Sequence, residues 1–305
     1  MNDLYKKKTR LMVQHWQLYL LLLFPLVNLI IFKYLPILGL QMAFKDFRVS
    51  KGMWGSPWVG LKHFIAFFTS PNFWSIIGNT IVLSVYTILA SFPLAILLAI
   101  GMNELASARA RKTVQFFTYA PYFISTVVLV SMMMQMFDPR IGILTKLLQV
   151  FGYQGDNLFG STSAFRHLYV WSGVWQQTGY NAIIYLAALT SINPELYDAA
   201  RVDGCSKWQR IWHIDLPGIR PTIIILLILN MGYIMSVGFE KVYLMQNPMN
   251  LETSEIISTY VYRIGLINSD FSFSTAVGFF NSIINLVLML TVNKIAQKVG
   301  DTSLW

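Results

Sequence analysis

The chain has 305 residues, of which 55% are hydrophobic and only 12% are charged, about half the charged share of a soluble globular domain. Because so few charges cannot cover the surface of a soluble protein of this size, the composition excludes an ordinary soluble domain and indicates an integral membrane protein. The net charge of +9 fits the basic loops of membrane proteins better than nucleic-acid binding, and a single cysteine excludes a disulfide framework and a cysteine-based metal site.

Six apolar runs predict six membrane-spanning helices. The first covers residues 16–35 and follows a basic start; it is long for a signal-peptide core and no small-residue cleavage site follows it, so we expect a retained span. The other predicted spans are 73–101, 114–137, 168–190, 222–239 and 273–293. The predicted fold class is all-α, a polytopic membrane helical bundle with six transmembrane helices.

The distribution of basic residues predicts the orientation. With the N-terminus inside, the cytoplasmic segments hold 13 of the 23 basic residues in fewer positions than the external ones. The positive-inside rule therefore places both termini in the cytoplasm, and we expect a multi-pass membrane protein. The expected parts are a cytoplasmic N-terminal segment (1–15), the first helix and an external loop (16–72), a core transmembrane domain (73–293) with a cytoplasmic loop (191–221), and a cytoplasmic tail (294–305).

The expected external segments 33–72, 138–167 and 241–271 are long for simple connections and rich in aromatic residues, glycine and proline. Two interpretations stay open. The aromatic residues pack at the membrane interface, or they form a docking surface for an external partner.

Ionisable residues are missing from the second to the sixth predicted span, with Glu240 only at the edge of the fifth. Proton-driven transporters and membrane enzymes with buried acid–base chemistry need such groups at membrane depth. The sequence also contains no ATPase phosphate-binding loop and no spaced set of metal ligands. We therefore expect a chain that is not an enzyme, with no catalytic residue, metal or cofactor of its own, and any ATP hydrolysis on a separate subunit.

The fourth predicted span carries an unusual group of amide and aromatic side chains. Amides bind sugar hydroxyls and aromatic rings stack on sugar C–H faces, whereas the alternative is hydrogen bonding between helices, worth about 1 kcal/mol or less per bond. For any single residue the alternative is favoured, and for the group in the fourth span sugar binding is favoured. The candidate substrate-binding residues are Trp175, Gln176, Gln177, Tyr180, Asn230, Tyr233, Glu240 and Asn281.

The helix-capping residues of the loop 191–221 can be identified from the sequence. Asn193 is placed to cap a helix whose first residue is a proline, and Gly204 is placed to end it in the left-handed conformation. Ser206 and Gln209 form a capping box for a second short helix, which we expect Pro217 to end. The prediction is a helix–glycine–helix element along the membrane surface.

The same loop carries a further set of residues at fixed spacing: Asp198, Ala199, Ala200, Gly204, Ile214, Leu216 and Pro217. With these residues it resembles the loop of the membrane subunits of binding-protein-dependent ABC importers, whose pattern is E-A-A, three residues, G, nine residues, I-x-L-P. Asp203 and Trp208 suit the carbohydrate branch of that family. Asp198 stands where the pattern has Glu, and Cys205 where Ala is usual. The likeness covers nearly the whole chain and is greatest to the lipoprotein-dependent permeases that import oligosaccharides of complex polysaccharides.

The resemblance implies a type I ABC importer fold in the bacterial cytoplasmic membrane that works by alternating access. It implies a second homologous permease subunit, two cytoplasmic ATP-binding subunits carrying ATP and Mg²⁺, an extracellular solute-binding lipoprotein and an oligosaccharide substrate. The residues that it implies for contact with the ATPase are Asp198, Ala199, Ala200, Asp203 and Gly204. It places sugar binding on the spans before and after the loop, most firmly at Tyr180, whereas Glu240 and Asn281 are candidates from polarity alone.

Two alternatives stay open: an ABC importer permease for a non-sugar solute, and a stand-alone channel or membrane scaffold. Charged solutes require basic residues in the cavity, and the second to the sixth predicted spans contain none. We therefore expect a neutral or weakly charged solute. A stand-alone channel would leave the 191–221 loop without a purpose.

Overall fold

The computed structural model describes residues 14–152 and 157–300, with the side chains of 299 and 300 left aside. Over these ranges the chain is helical and forms no strand, apart from one isolated β-bridge between Lys45 and Trp58, so the all-α prediction is confirmed. Most of the expected N-terminal segment 1–15 and the end of the expected tail 294–305 lie outside the described residues.

The α-helices are α1 Trp16–Leu29, α2 Gly52–Gly55, α3 Lys62–Phe68, α4 Phe73–Asn103, α5 Ala108–Tyr119, α6 Thr126–Met136, α7 Ile143–Val150, α8 Thr162–Thr190, α9 Pro194–Val202, α10 Lys207–Arg210, α11 Leu216–Met231, α12 Phe239–Met245, α13 Leu251–Ser254, α14 Ile257–Tyr262 and α15 Phe271–Gly300. π-Helical turns lie at Ile30–Tyr34, Ile211–Asp215 and Arg263–Ile267, and 3₁₀ turns at Leu35–Phe44, Val49–Lys51 and Ala120–Phe123.

The chain forms two compact units, which are described separately. The first unit comprises the described residues up to 68 together with 264–279. In it, Ser272 on α15 donates a hydrogen bond of 2.7 Å to the carbonyl of Lys45 and accepts one of 2.8 Å from the amide of Phe47. The Lys45 ammonium lies 4.7 Å from the ring centroid of Trp58. Part of the aromatic-rich segment 33–72 therefore packs within its own unit.

The second unit comprises residues 69–263 and 280 onward, and α4 and α8 pack together in its centre. One apolar cluster includes Leu83, Val170 and Val242, and the other includes Ala99 and Ala182. α8 also approaches α5 closely at Gly179, where a Cβ atom would stand 2.0 Å from the backbone oxygen of Thr118. A glycine at this position allows two helices to meet at the backbone.

Four helical segments are long and apolar enough to cross a membrane: Trp16–Phe44, Phe73–Asn103, Lys207–Met231 and Phe271–Lys298. A fifth exists if the bent pair Ala108–Phe123 and Thr126–Met136 counts as one span. α8 is long enough to be a span, but its amide and aromatic residues lower its mean hydropathy below that of these segments. The described residues therefore give four or five spans by length and composition, and the count of six stays a prediction.

The third predicted span, 114–137, is not one helix. The chain bends by 95° between Phe123 and Thr126. Pro121 lies in the 3₁₀ turn that ends the first helix, and the Ser125 hydroxyl accepts a hydrogen bond of 3.3 Å from the amide of Val128 and so caps the second. The apolar composition of the run hid these two boundary signals.

The predicted boundaries of the fifth span, 222–239, are also wrong, and so is the prediction that Pro217 ends a helix. Helical structure continues from Lys207 to Met231 through the proline. Pro217 lies in the first turn of α11, directly after a π-helical turn. Proline has no amide hydrogen to donate within a helix, and such a local change of helical winding lets the helix continue without that hydrogen bond. The helix then ends eight residues earlier than expected.

Candidate functional site

A polar cavity of about 260 Å³ lies inside the second unit between α4, α8 and residues 230–241. α4 lines it with three hydroxyl-bearing residues, Ser84, Thr87 and Ser91. Their spacing of three and four residues places them on one face of the helix. The polar cavity therefore begins with a strip of hydroxyl groups.

α8 supplies the second wall. Tyr169, Gly173 and Gln177 line the polar cavity and follow each other at intervals of four residues, which is the spacing of one helical face. Tyr169 is buried whereas Gln177 is exposed, so the wall runs from the interior of the unit to its surface.

The third wall is the turn between α11 and α12. Ser84 donates a hydrogen bond to the carbonyl of Ile234. Asn285 on α15 accepts a hydrogen bond of 2.9 Å from the amide of Met235 and donates one of 3.0 Å to Ser236. These bonds hold the turn against two helices, and the turn brings Tyr233 to the polar cavity.

Lys241 provides the only positive charge among the residues that line the polar cavity. Only 8% of Lys241 is exposed, and its Nζ atom donates a hydrogen bond of 2.8 Å to the carbonyl of Tyr169. The same atom lies 4.8 Å from the centroid of the Tyr169 ring. No acidic residue lines the polar cavity.

The expectation of a cavity without a basic residue is therefore wrong. The sequence analysis missed Lys241 because the fifth span was drawn to residue 239. In the structure α11 ends at Met231, and the chain turns so that the start of α12 faces α8. The available signal was a lysine two positions beyond Phe239, next to Glu240, directly after an apolar run.

Three of the eight candidate binding residues meet at the polar cavity: Gln177, Asn230 and Tyr233. All three are exposed, with Tyr233 at 71%, so the polar cavity is open on the side where they lie. The side-chain nitrogen of Asn230 donates a hydrogen bond of 2.7 Å to the carbonyl of Leu226 in its own helix. The side-chain oxygen of Asn230 takes no part in that bond.

The other candidates lie elsewhere. Gln176 is buried and donates a hydrogen bond of 2.7 Å to the carbonyl of Ile124, which joins α8 to the bend before α6. Trp175 lines a separate apolar cavity with Met132 and Trp171. Gln176 thus has the structural role that the sequence analysis offered as the alternative.

Tyr180, Glu240 and Asn281 are also outside the lining of the polar cavity. The ring of Tyr180 stacks on that of Tyr122 with 3.7 Å between centroids and 4° between planes. Glu240 is exposed, whereas the side-chain oxygen of Asn281 is buried without a hydrogen-bond partner in the described residues.

The 191–221 loop has the local structure expected of it. Asn193 accepts a hydrogen bond of 3.1 Å from the amide of Glu195 at the start of α9. Gly204 has φ of +70°, and Ser206 and Gln209 form the capping box at the start of α10. These predictions are confirmed.

Four of the five expected coupling residues are on the surface of the loop: Asp198, Ala199, Asp203 and Gly204 are exposed, whereas Ala200 is buried. Large apolar side chains are exposed beside them. The exposed fractions are 89% for Val202, 74% for Trp208 and 65% for Trp212. The loop therefore has an apolar outer surface with carboxylates next to it.

A polar cluster lies beneath the loop. Tyr197 on α9 donates a hydrogen bond of 2.5 Å to Oδ1 of Asp215, which is fully buried. Burial raises the pKa of Tyr197 above its ordinary value, and the nearby Asp215 raises it further, so the hydroxyl stays protonated. Arg210 donates a hydrogen bond of 2.6 Å to Glu104 at the end of α4.

No group of three or more residues able to bind a metal is found in residues 14–152 and 157–300.

Residues 91–301 match the family described as binding-protein-dependent transport system inner membrane component. The chain is 40% identical over 303 residues to the polygalacturonan/rhamnogalacturonan transport system permease protein YteP of Bacillus subtilis (strain 168), covering 98% of this chain and 94% of that protein. It is 39% identical over 288 residues to Protein LplB of the same strain, covering 94% and 91%.

The fold is similar to that of a solved structure. A chain of the bacterial alginate ABC transporter, in complex with an alginate pentasaccharide-bound periplasmic protein, aligns with a TM-score of 0.88 and 38% sequence identity. The alignment covers 97% of this chain and 99% of that chain.

Proposed function

The chain belongs to the family of binding-protein-dependent transport system inner membrane components, and from this premise we propose that it is the permease subunit of an ABC importer for an oligosaccharide. The polar cavity carries the proposal. Its hydroxyl groups, amides and tyrosine rings are the groups that bind sugar hydroxyls and stack on sugar rings, and it lies on the two helices that flank the 191–221 loop.

The relatives support the substrate class. YteP is named for polygalacturonan and rhamnogalacturonan transport, and the solved relative transports alginate. Both likenesses extend over more than nine-tenths of this chain. An oligosaccharide derived from a polysaccharide is therefore the substrate class that we transfer to this chain.

The 191–221 loop is the proposed contact with a cytoplasmic ATPase. Its apolar outer surface, including Val202 and Trp208, is the kind of surface that a partner protein covers. Asp198, Ala199, Asp203 and Gly204 are the proposed contact residues. Ala200 faces inward, so its small side chain serves the close packing of α9 within the chain.

The proposed complex contains a second homologous permease subunit, two ATP-binding subunits that carry ATP and Mg²⁺, and a solute-binding lipoprotein outside the membrane. The alginate-bound periplasmic protein in the solved relative supports the last of these partners. The polar cavity is open on one side, which suits a path completed by a second permease. We propose six spans with both termini in the cytoplasm, counting α8 as one span and the bent pair as another.

The proposed mechanism is alternating access driven through the loop. α8 enters the loop and α11 leaves it, and both helices also line the polar cavity. Asn230 lies 13 residues beyond Pro217, which is about 20 Å along the helix. A movement of the loop is therefore carried to the polar cavity by two continuous helices.

Reconstitution tests this function. The chain is purified with its partner subunits, placed in proteoliposomes with its solute-binding protein, and supplied with pectin- and alginate-derived oligosaccharides. We expect ATP-dependent uptake and stimulated ATP hydrolysis with at least one oligosaccharide, and neither in a complex with an inactivated ATPase. Uptake of amino acids or phosphate in place of every oligosaccharide would instead identify a permease for non-sugar solutes, and solute flux without the ATPase would identify a channel.

A further inference from the structure

We propose that Lys241 makes the polar cavity a binding site for a carboxylate, so that the imported oligosaccharide contains uronic acid residues. This inference rests on the proposed function, because it concerns the chemistry of the substrate that the permease carries.

The first observation is a buried positive charge without a counter-charge. Lys241 is 8% exposed and forms no ion pair in the described part of the chain. Glu240, its neighbour, is exposed and does not line the polar cavity. Burying an ammonium group costs free energy unless charged or polar partners compensate for lost water. A substrate carboxylate would supply the missing counter-charge.

The second observation is spare hydrogen-bonding capacity. An ammonium group has three donors, and the structure assigns one of them to the carbonyl of Tyr169. The aromatic ring of Tyr169 shields one side of the ammonium. Two donors are therefore available for a ligand in the polar cavity.

The third observation is the space left by a glycine. A Cβ atom at Gly173 would stand 3.3 Å from Nζ of Lys241, so any larger residue would cover the ammonium from the side of α8. Gly173 and Gln177 both line the polar cavity, one turn apart. The glycine keeps the ammonium accessible beside an amide able to bind a neighbouring hydroxyl.

The size and donor set fit part of a uronic acid oligosaccharide. The volume of about 260 Å³ is slightly below the range of about 300–1,000 Å³ that is typical of small-molecule sites, so the polar cavity holds only a portion of a longer chain. The single ammonium acts as a point charge with rotatable donors, which suits one carboxylate group. The hydroxyl strip on α4 remains for the neutral parts of the sugar.

The test uses the complete importer in proteoliposomes with saturating solute-binding protein. The probes are trisaccharides of galacturonate, guluronate and mannuronate, each paired with its carboxyl-reduced, neutral counterpart. The variants are Lys241→Met, Lys241→Arg and, as an uncharged control in the same cavity, Gln177→Ala. Each variant is compared with the wild type on both members of a pair, so the preference of the solute-binding protein cancels.

We expect Lys241→Met to lower kcat/KM for the acidic member about ten- to hundredfold and to change the neutral member less than about threefold. Lys241→Arg should retain most of the acidic uptake, and Gln177→Ala should lower both members to a similar extent. If Lys241→Met does not assemble, Gly173→Ala serves instead, because its methyl group crowds the ammonium and should lower the acidic-to-neutral ratio.

Three results would overturn the inference: a wild type that prefers the neutral members, a Lys241→Met complex with an unchanged acidic-to-neutral ratio, or equal losses for both members. Neutral uptake without acidic preference would refute the carboxylate site and leave the proposed function standing. An assembled complex that imports no oligosaccharide at all would refute the proposed function itself.

Discussion

The hydroxyl of Tyr197 donates a hydrogen bond of 2.5 Å to the carboxylate of Asp215, and this bond joins two elements that are 18 residues apart. Tyr197 is on α9, in the 191–221 loop, and Asp215 is in the π-helical turn that leads into α11. Asp215 is fully buried, and its second oxygen has no hydrogen-bond partner in the described residues. The loop is thus fastened to the helix that reaches the polar cavity.

Removing this hydroxyl should loosen the connection between the loop and α11. We expect Tyr197→Phe to reduce the number of substrate molecules transported per ATP hydrolysed, because the buried Asp215 loses a hydrogen bond worth about 1–3 kcal/mol. The measurement is paired uptake and ATP hydrolysis in proteoliposomes. Because burial raises the pKa of Tyr197 above its ordinary value, its hydroxyl stays protonated, and the difference between wild type and Tyr197→Phe should not change from about pH 6 to about pH 9.

A double-mutant cycle with Asp215→Ala checks that the effect belongs to the pair. The effects of Tyr197→Phe and Asp215→Ala should be non-additive, because the first variant removes the donor and the second removes the acceptor of the same bond. Strictly additive losses in the transport-to-ATP ratio would show that Tyr197 acts through some other contact. Leu196→Ala, which truncates an exposed neighbour on α9, should leave this cycle unchanged.

Gly204 tests the backbone conformation of the loop at a proposed contact residue. Its φ of +70° lies in the left-handed region, and nothing lies within 4 Å of the position that a Cβ atom would take. Gly204→Leu should therefore cost about 1–2 kcal/mol by backbone strain and lower both ATPase assembly and uptake. Gly204→Asn is the matched control, because asparagine tolerates this conformation. Intact assembly and uptake in Gly204→Leu would contradict coupling through this loop.

Local chemistry explains why the loop was predictable. Helix caps depend on residues two or three positions apart, and Asn193, Ser206 and Gln209 make the bonds that their spacing predicts. The prediction that Pro217 ends a helix was wrong because the π-helical turn before it lets the helix continue without the amide hydrogen that proline lacks. That turn is not visible in the pattern of the sequence.

The polar cavity was only partly predictable because it depends on where a distant turn is held. The bonds from Asn285 to residues 235 and 236 fix the chain after α11, and this brings Lys241 to Tyr169. The polarity of a span identified Gln177, but it could not separate Gln177 from Gln176, whose partner is the carbonyl of Ile124. Neighbouring residues on one helix face different surroundings.

Tyr180 remains a proposed sugar contact although it lies outside the polar cavity. Its ring stacks on that of Tyr122 and is 44% exposed, so part of this aromatic pair is open to contact with a sugar ring. We expect Tyr180→Ala to lower uptake severalfold without changing the yield of assembled complex, and Tyr180→Phe to retain uptake because the ring is kept. Unchanged kinetics of Tyr180→Ala for every oligosaccharide transported would remove Tyr180 from the site.

Gly179 tests the close approach of α8 and α5 separately from transport. A Cβ atom there would stand 2.0 Å from the backbone oxygen of Thr118, and a backbone atom cannot move aside as the end of a flexible side chain can. Gly179→Ala should therefore destabilise the complex by about 1–3 kcal/mol and lower its Tm in detergent. The control is Gly101→Ala on α4, where a Cβ atom meets nothing within 4 Å. Because alanine is also the better helix former, Gly101→Ala should leave Tm unchanged or raise it slightly. Equal Tm values for the two variants would contradict the backbone contact between α8 and α5.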